Sequence, residues 1–170
     1  MIHVCSLSRL HETVAATGAR HVVSLLARED RVSRPAAIAA ADHLWLQLHD
    51  ISTPLDGHEM PEVEHVEKLL AFVRRWPRET PLVVHCFAGI SRSTAAAFVS
   101  VCALNPDESE QAVAAALRRA SPTATPNIRI VTLADQYLGR GGRMIRAVEA
   151  IGMGASAAEA EPFRLDLVGH

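Results

Sequence analysis

A chain of 170 residues holds one domain with a sizeable core and is too short for two ordinary ones, so a single site is expected. A formal charge of -2 and a pI near 6.5 provide no basic field of the kind that holds nucleic acid or an anionic membrane, which removes both from the expected partners. Hydrophobic residues make up 49% of the chain, much of that alanine, and aromatics only 4%, a balance that favours helix-rich globular packing over a repeat or a disordered polymer.

The opening Met1-Ile2-His3-Val4-Cys5-Ser6-Leu7 lacks the basic start and long apolar stretch of a secretory signal. The most apolar run, Ala95 to Leu104, is about half the length that spans a bilayer. Cys5, Cys86 and Cys102 are an odd number without the density of a disulfide scaffold, so a reducing, cytoplasmic setting is expected. Ile2 to Cys5 reads as a short buried strand, and Ser8 begins a segment with Leu10, Val14 and Ala15 at helical spacing that Gly18 ends. His21 to Leu26 is a second strand, followed by a charged loop from Arg28 to Arg34 and an alanine-rich turn or helix after Pro35. His43 to Leu48 places Leu44, Leu46 and Leu48 on one side of a third strand, which ends at His49-Asp50.

Ile51 to Met60 carries the loop residues Pro54, Asp56 and Gly57, and Pro61 suits the first turn of a helix. Val63, Val66, Leu70 and Val73 give that helix an apolar face as far as Pro77. Pro81 to His85 is a buried strand that delivers the chain into Cys86. From Arg92 or Ser93 to Leu104 the sequence is apolar on almost every face, as in a helix buried between neighbours, and Asn105-Pro106 ends it. Asp107 with Glu110 resembles a capping box for a helix to Ala120. A loop from Ser121 to Pro126, a helix through Ile128, Val131, Ala134 and Leu138, a break at Gly139 to Gly142 and a short helix to Ile151 follow. One domain is therefore expected over residues 1–151, with 152–170 a small-residue linker and a short segment, Phe163, Leu165 and Leu167, able to pair as an edge strand. The fold class is α/β, a central mostly parallel sheet flanked by helices with a helix-rich C-terminal half.

The stretch His85-Cys86-Phe87-Ala88-Gly89-Ile90-Ser91-Arg92-Ser93 sits between a predicted buried strand and a predicted helix. Unpaired N–H groups and the positive end of the dipole meet at a helix N-terminus, which stabilises a phosphate dianion there. Gly89 lets the loop from Phe87 through Ser91 curl, its amides converge as a nest, and the planar Arg92 guanidinium takes two phosphate oxygens at once. The same field favours thiolate over thiol at Cys86, making it a nucleophile able to attack phosphorus in line with the leaving oxygen. Ser93 is placed to donate to that sulfur when water displaces it, and His85 is expected to shape the loop rather than transfer protons.

This run, His-Cys-x5-Arg-Ser, resembles the signature of protein tyrosine and dual-specificity phosphatases, and the strand-loop-helix context is similar to theirs. The resemblance, to small bacterial members of that cysteine-based superfamily, extends from about Leu44 through Asn127. It implies a phosphocysteine intermediate on Cys86, phosphate held by Arg92, no metal or other cofactor, and phosphorylated proteins or peptides as substrates, phosphotyrosine first and phosphoserine or phosphothreonine beside it. It also implies an aspartate as general acid. Asp50 is preferred because a strand end fixes its position, whereas Asp56, in Pro-Leu-Asp-Gly, has an adequate turn-forming explanation. Asn127 resembles the family's asparagine that braces the phosphate loop, and its place before Ile128 equally suits a helix N-cap.

Blander readings account for most other conspicuous residues. Cys5 and Cys102 read as small buried hydrophobes. Cys5 as the nucleophile of a low-molecular-weight phosphatase fails because His11 stands where the arginine belongs. His49, His58 and His65 lack the short spacing of a metal site and read as surface or loop histidines. A sulfurtransferase is disfavoured by the loop closing on Arg92-Ser93, and a phosphoinositide phosphatase by the absence of lysine within the loop. The non-enzyme rival is a phosphate-binding pseudophosphatase, which keeps Arg92 and the amides without a working acid.

Overall fold

The computed structural model describes residues 1–166. Its strands are β1 (Ile2–Ser6), β2 (His21–Leu26), β3 (His43–Gln47), β4 (Leu82–Cys86) and β5 (Phe163–Leu165), in the order β3-β2-β4-β1-β5. All neighbours run parallel except β5, which pairs antiparallel with β1 through Ile2 opposite Leu165 and Val4 opposite Phe163. Phe163 to Leu165 thus lie at the sheet edge, while Leu167 lies outside the described residues. The helices are α1 (Leu10–Thr17), α2 (Val63–Arg75), α3 (Arg92–Leu104), α4 (Glu110–Ala120), α5 (Ile128–Tyr137) and α6 (Arg143–Ile151). The alanine-rich stretch after Pro35 forms turns and a short 3-10 helix, Ala40–Asp42.

Strand alternation divides the core. Leu82, Val84 and Cys86 of β4 face the larger cluster with Leu69, Phe72, Phe98 and Ile130, while Val83 faces a smaller one with Cys5, Leu10, Val14 and Val22. Helix α3 is buried continuously from Arg92 to Cys102, which is why its sequence shows no polar face. Its alanines let it lie close to its neighbours.

Two helix starts differ from expectation. Helix α4 is capped by Ser109, whose hydroxyl accepts from Ala112 N, so Asp107 is not the cap; Glu110 instead turns into the core to meet Arg140 at 2.8 Å. Burial pushes the Glu110 carboxyl up, but backbone bonding and the Arg140 and Arg143 guanidinium groups outweigh it and hold it below the usual range. Pro61 lies outside α2 rather than in its first turn. There Glu62 N–H donates to His65 Nδ1 at 2.9 Å, and the other ring nitrogen reaches Gln47 O at 3.1 Å. His65 therefore carries its proton on Nε2 and ties the start of α2 to the end of β3. The break before α6 is closed by Asp135, which accepts from Gly142 N and Met144 N at 2.7 and 2.9 Å.

Candidate active site

The loop from Phe87 to Ser91 joins the C-terminal end of β4 to the N-terminus of α3. Four of its carbonyls are taken by surrounding backbone. Leu7 N donates to Phe87 O at 3.1 Å, Ala160 N to Ala88 O at 2.9 Å, Thr125 N to Ile90 O at 2.9 Å and Asn127 N to Ser91 O at 3.2 Å. In a trans peptide the C=O and the following N–H point in opposite directions, so these anchors turn the N–H groups of Ala88, Gly89, Ser91 and Arg92 toward the inside of the curl. Gly89 makes the curl possible: its φ is +74°, and a Cβ there would lie 2.9 Å from Cys5 C and Ser6 N.

Cys86 is 2% exposed, with its Sγ 3.1 Å from Ser93 Oγ. Arg92, also buried, donates from Nη1 to Leu48 O at 3.0 Å, while its buried Nε–H has no partner among the described residues. A buried guanidinium donor is not left unpaired without cost. An anion in the curl of amides would satisfy it.

His85 lies beneath the loop, its Nε2 2.6 Å from Ser24 Oγ, which in turn lies 2.8 Å from His43 Nε2. Burial pushes His85 down from its ordinary 6.5 to about 4, the Cys86 backbone pulling the other way and His43 and Arg92 adding to the fall. The ring is thus neutral at neutral pH and joins β4 to β2. Cys5 and Cys102 are held as thiols, burial pushing each up to about 12.

Asp50 is exposed, just past the end of β3, with Oδ1 accepting from Ser91 Oγ at 2.7 Å and from Asn127 Nδ2 at 2.8 Å. The stretch it opens is closed at its base by His49 N donating to Glu59 O at 2.7 Å and Glu59 N to His49 Nδ1 at 2.8 Å. Asp56 sits in the exposed tip, and its carboxylate enters no hydrogen bond among the described residues. Asn127 makes contacts at both its ends. Its Oδ1 caps α5 by accepting from Arg129 N and Ile130 N at 3.1 Å, its own N–H braces the loop at Ser91, and its amide nitrogen holds Asp50.

The C-terminal contribution carries no signal in the sequence. The segment expected as a linker returns across the loop: Ala160 is buried and holds Ala88, and the Glu159 carboxylate accepts from Ser6 and Ser8 hydroxyls, which keep it below the usual range. An open cleft of about 550 Å³ borders the Ser91 end of the loop, lined by Asp50 to Leu55 and by Thr125 to Ile128. Another, of about 480 Å³, borders the Phe87 end. His49 is engaged with Glu29 and Glu59 and packs edge-on against His58. Among the described residues no three of His, Cys, Asp or Glu converge as a metal site, and no helix is long and apolar enough to cross a membrane.

Comparison with known proteins agrees with this geometry. The fold is similar to those of DUSP15 (TM-score 0.65, 19% identity, covering 91% of this chain and 94% of that one) and human DUSP28 (0.63, 18%, 82% and 92%). It is also similar to the human tyrosine phosphatase-like serine/threonine/tyrosine-interacting protein (0.64, 14%, 82% and 92%). At these identities the likeness is one of fold. Among curated proteins no sequence matches significantly. A family model described as protein-tyrosine phosphatase matches residues 42–137, more than half of the chain and all of the strand-loop-helix unit around Cys86, and on that match the chain belongs to the protein-tyrosine phosphatase family.

Proposed function

We propose that the protein is a cysteine-dependent phosphatase acting on phosphotyrosine in proteins or peptides, with phosphoserine and phosphothreonine as further substrates. The observation that carries this reading is the cradle itself: carbonyls anchored outward, amides turned inward, the buried Nε–H of Arg92 without a partner among the described residues, and the Cys86 sulfur 3.1 Å from Ser93 Oγ. In the first step the Cys86 thiolate attacks phosphorus, an S–P bond forms, the ester P–O bond breaks, and Asp50 gives its proton to the departing oxygen. The equatorial oxygens stay on the amides and Arg92. In the second, water attacks phosphorus, Asp50 takes a proton back, and Ser93 Oγ–H, 3.1 Å from Sγ, donates to the leaving sulfur as inorganic phosphate departs.

Asp50 is favoured over Asp56 because it is bonded to the rim of the cradle at Ser91, whereas the Asp56 carboxylate has no such anchor. The same contact weighs against a module that only binds phosphate. Exposed apolar side chains near the loop, Phe87, Leu55 and Ile128, suit an aromatic phosphoester, and no lysine lines either cleft.

The test is hydrolysis of para-nitrophenyl phosphate from pH 4 to 9 without added metal. Cys86→Ser should abolish turnover while leaving vanadate binding; retained turnover would remove the nucleophile assignment. Asp50→Asn should slow alkyl phosphates more than aryl ones, and an unchanged Asp50→Asn beside a crippled Asp56→Asn would reverse the choice of acid.

A further inference from the structure

The chain beyond α6 is fastened at two points as it crosses the loop. Gly154 N donates to Thr125 Oγ1 at 3.0 Å and Ala155 N to Pro122 O at 2.9 Å; further on, Ala160 N donates to Ala88 O at 2.9 Å before β5 pairs with β1. Between these fixed points Ala158 and Glu159 stand exposed beside the Phe87 end of the loop. With Leu7, Ser8 and Phe87 they line the open cleft of about 480 Å³. Phe87 is 58% exposed, so its ring offers an uncovered apolar wall. Four of these five residues come from outside the family-matched stretch 42–137, which makes the cleft an addition of this chain.

One charge stands at the cleft. Glu159 Oε1 accepts from the hydroxyls of Ser6 and Ser8, which fix the carboxylate and hold it in its ionised form, while Oε2 enters no hydrogen bond among the described residues. Arg9, the cation whose field reaches Glu159, is engaged with Glu12 at 3.0 Å and Glu161 at 3.8 Å, and no lysine or arginine lines the cleft. An apolar wall beside one carboxylate matches a side chain with an apolar stem and a cationic head.

The geometry points to this cleft as a specificity subsite for a lysine or arginine of the substrate polypeptide close to the phosphorylated residue, its stem on Phe87 and Leu7 and its cation on Glu159. This rests on the protein being a phosphatase of phosphorylated polypeptides. The scissile oxygen lies on the Asp50 side of the loop, where the acid must reach it, so the Phe87 end is left to the polypeptide that flanks it. An acidic neighbour would meet Glu159 as a like charge and is selected against. A small aryl phosphate fills the cradle without entering the cleft, so it does not sense Glu159.

That difference supplies the test. Values of kcat/KM would be measured on phosphotyrosine peptides carrying Lys, Leu, Ala or Glu at each flanking position in turn, with para-nitrophenyl phosphate and thermal midpoints alongside. At low salt and at the position that reaches the cleft, Lys should exceed Ala about fivefold, the scale of an exposed ion pair, and Glu should fall below Ala. The preference should shrink as salt is raised. Glu159→Gln, which still accepts from the two hydroxyls, should erase it while turnover of para-nitrophenyl phosphate and the midpoint stay near native. Ala158→Lys leaves those hydrogen bonds in place and should bring the Glu peptide level with the Lys peptide or above it. Equal turnover of all the peptides, a preference for Leu over Lys, or a Lys preference that survives both substitutions overturns the subsite while the phosphatase reading stands. If wild type hydrolyses para-nitrophenyl phosphate but none of the peptides, or neither, the phosphopeptide reading fails and the subsite with it.

Discussion

The two loops that meet at the candidate site are built on opposite principles. The loop from Phe87 to Ser91 is short, fixed by backbone hydrogen bonds on its outer side, and has a glycine pressed against the end of β1. The loop from Asp50 to His58 is exposed along most of its length, clasped at its base, and has its Asp50 side chain held by residues from distant parts of the chain. One is prescribed by its own sequence, because phosphate chemistry and a tight curl leave few residue choices. The other is assembled by tertiary contact.

Gly89→Ala is the sharpest way to break the contrast, since both the +74° φ and the 2.9 Å approach to Cys5 and Ser6 backbone forbid a side chain. It should cost at least about 2 kcal/mol in urea unfolding and reduce turnover on the order of 100-fold, because displaced amides no longer converge. A nearly native Gly89→Ala would mean the loop is less fixed than its bonds imply. Acidification probes the layer beneath the loop. The neutral His85 ring has its pKa depressed on folding, so its contribution is complete above pH 6.5 and is lost as the pH falls toward 4, where the folded state also protonates. Stability should drop by about 3 kcal/mol across that window, and His85→Gln should flatten the pH dependence of the urea midpoint. The smallest effect belongs to the loop from Asp50 to His58. Gly57 has a similar φ of +76° but open space where a Cβ would stand, so Gly57→Ala should cost only about 1 kcal/mol and leave turnover within about twofold.

What was legible in the sequence follows the same division. Alternation in His43 to Leu48, the apolar run into Cys86 and the facing stripe of α2 placed the strands and helices, because each pattern records a face that must be buried. The strand-loop-helix placement of Cys86, Gly89 and Arg92 was legible because an apolar run, a glycine and a helical stretch follow one another there. The anchors were not. Backbone donors such as Ala160 N and Thr125 N carry no side-chain signature, and nothing in Gly152 to Glu161 distinguishes a loose linker from a strap that crosses the loop. The start of α4 is ambiguous in sequence because Asp107, Ser109 and Glu110 all suit a helix N-terminus, and only the buried Arg140 reveals that Glu110 is drawn inward.

The alternation that splits the core also determines how the protein can meet oxidants. Cys5 stands opposite His85 in the β1-β4 register, and Ser6 opposite Cys86, so the thiols of Cys5 and Cys86 point to opposite sides of the sheet. Cys102 lies about 15 Å further along α3 from Arg92, by the rise of a helix. A sulfenic acid formed at Cys86 thus has no second cysteine within reach to trap it as an internal disulfide. Its recovery falls to a small external thiol, and the surrounding thiol pool becomes the partner that decides whether oxidation is a pause or an end.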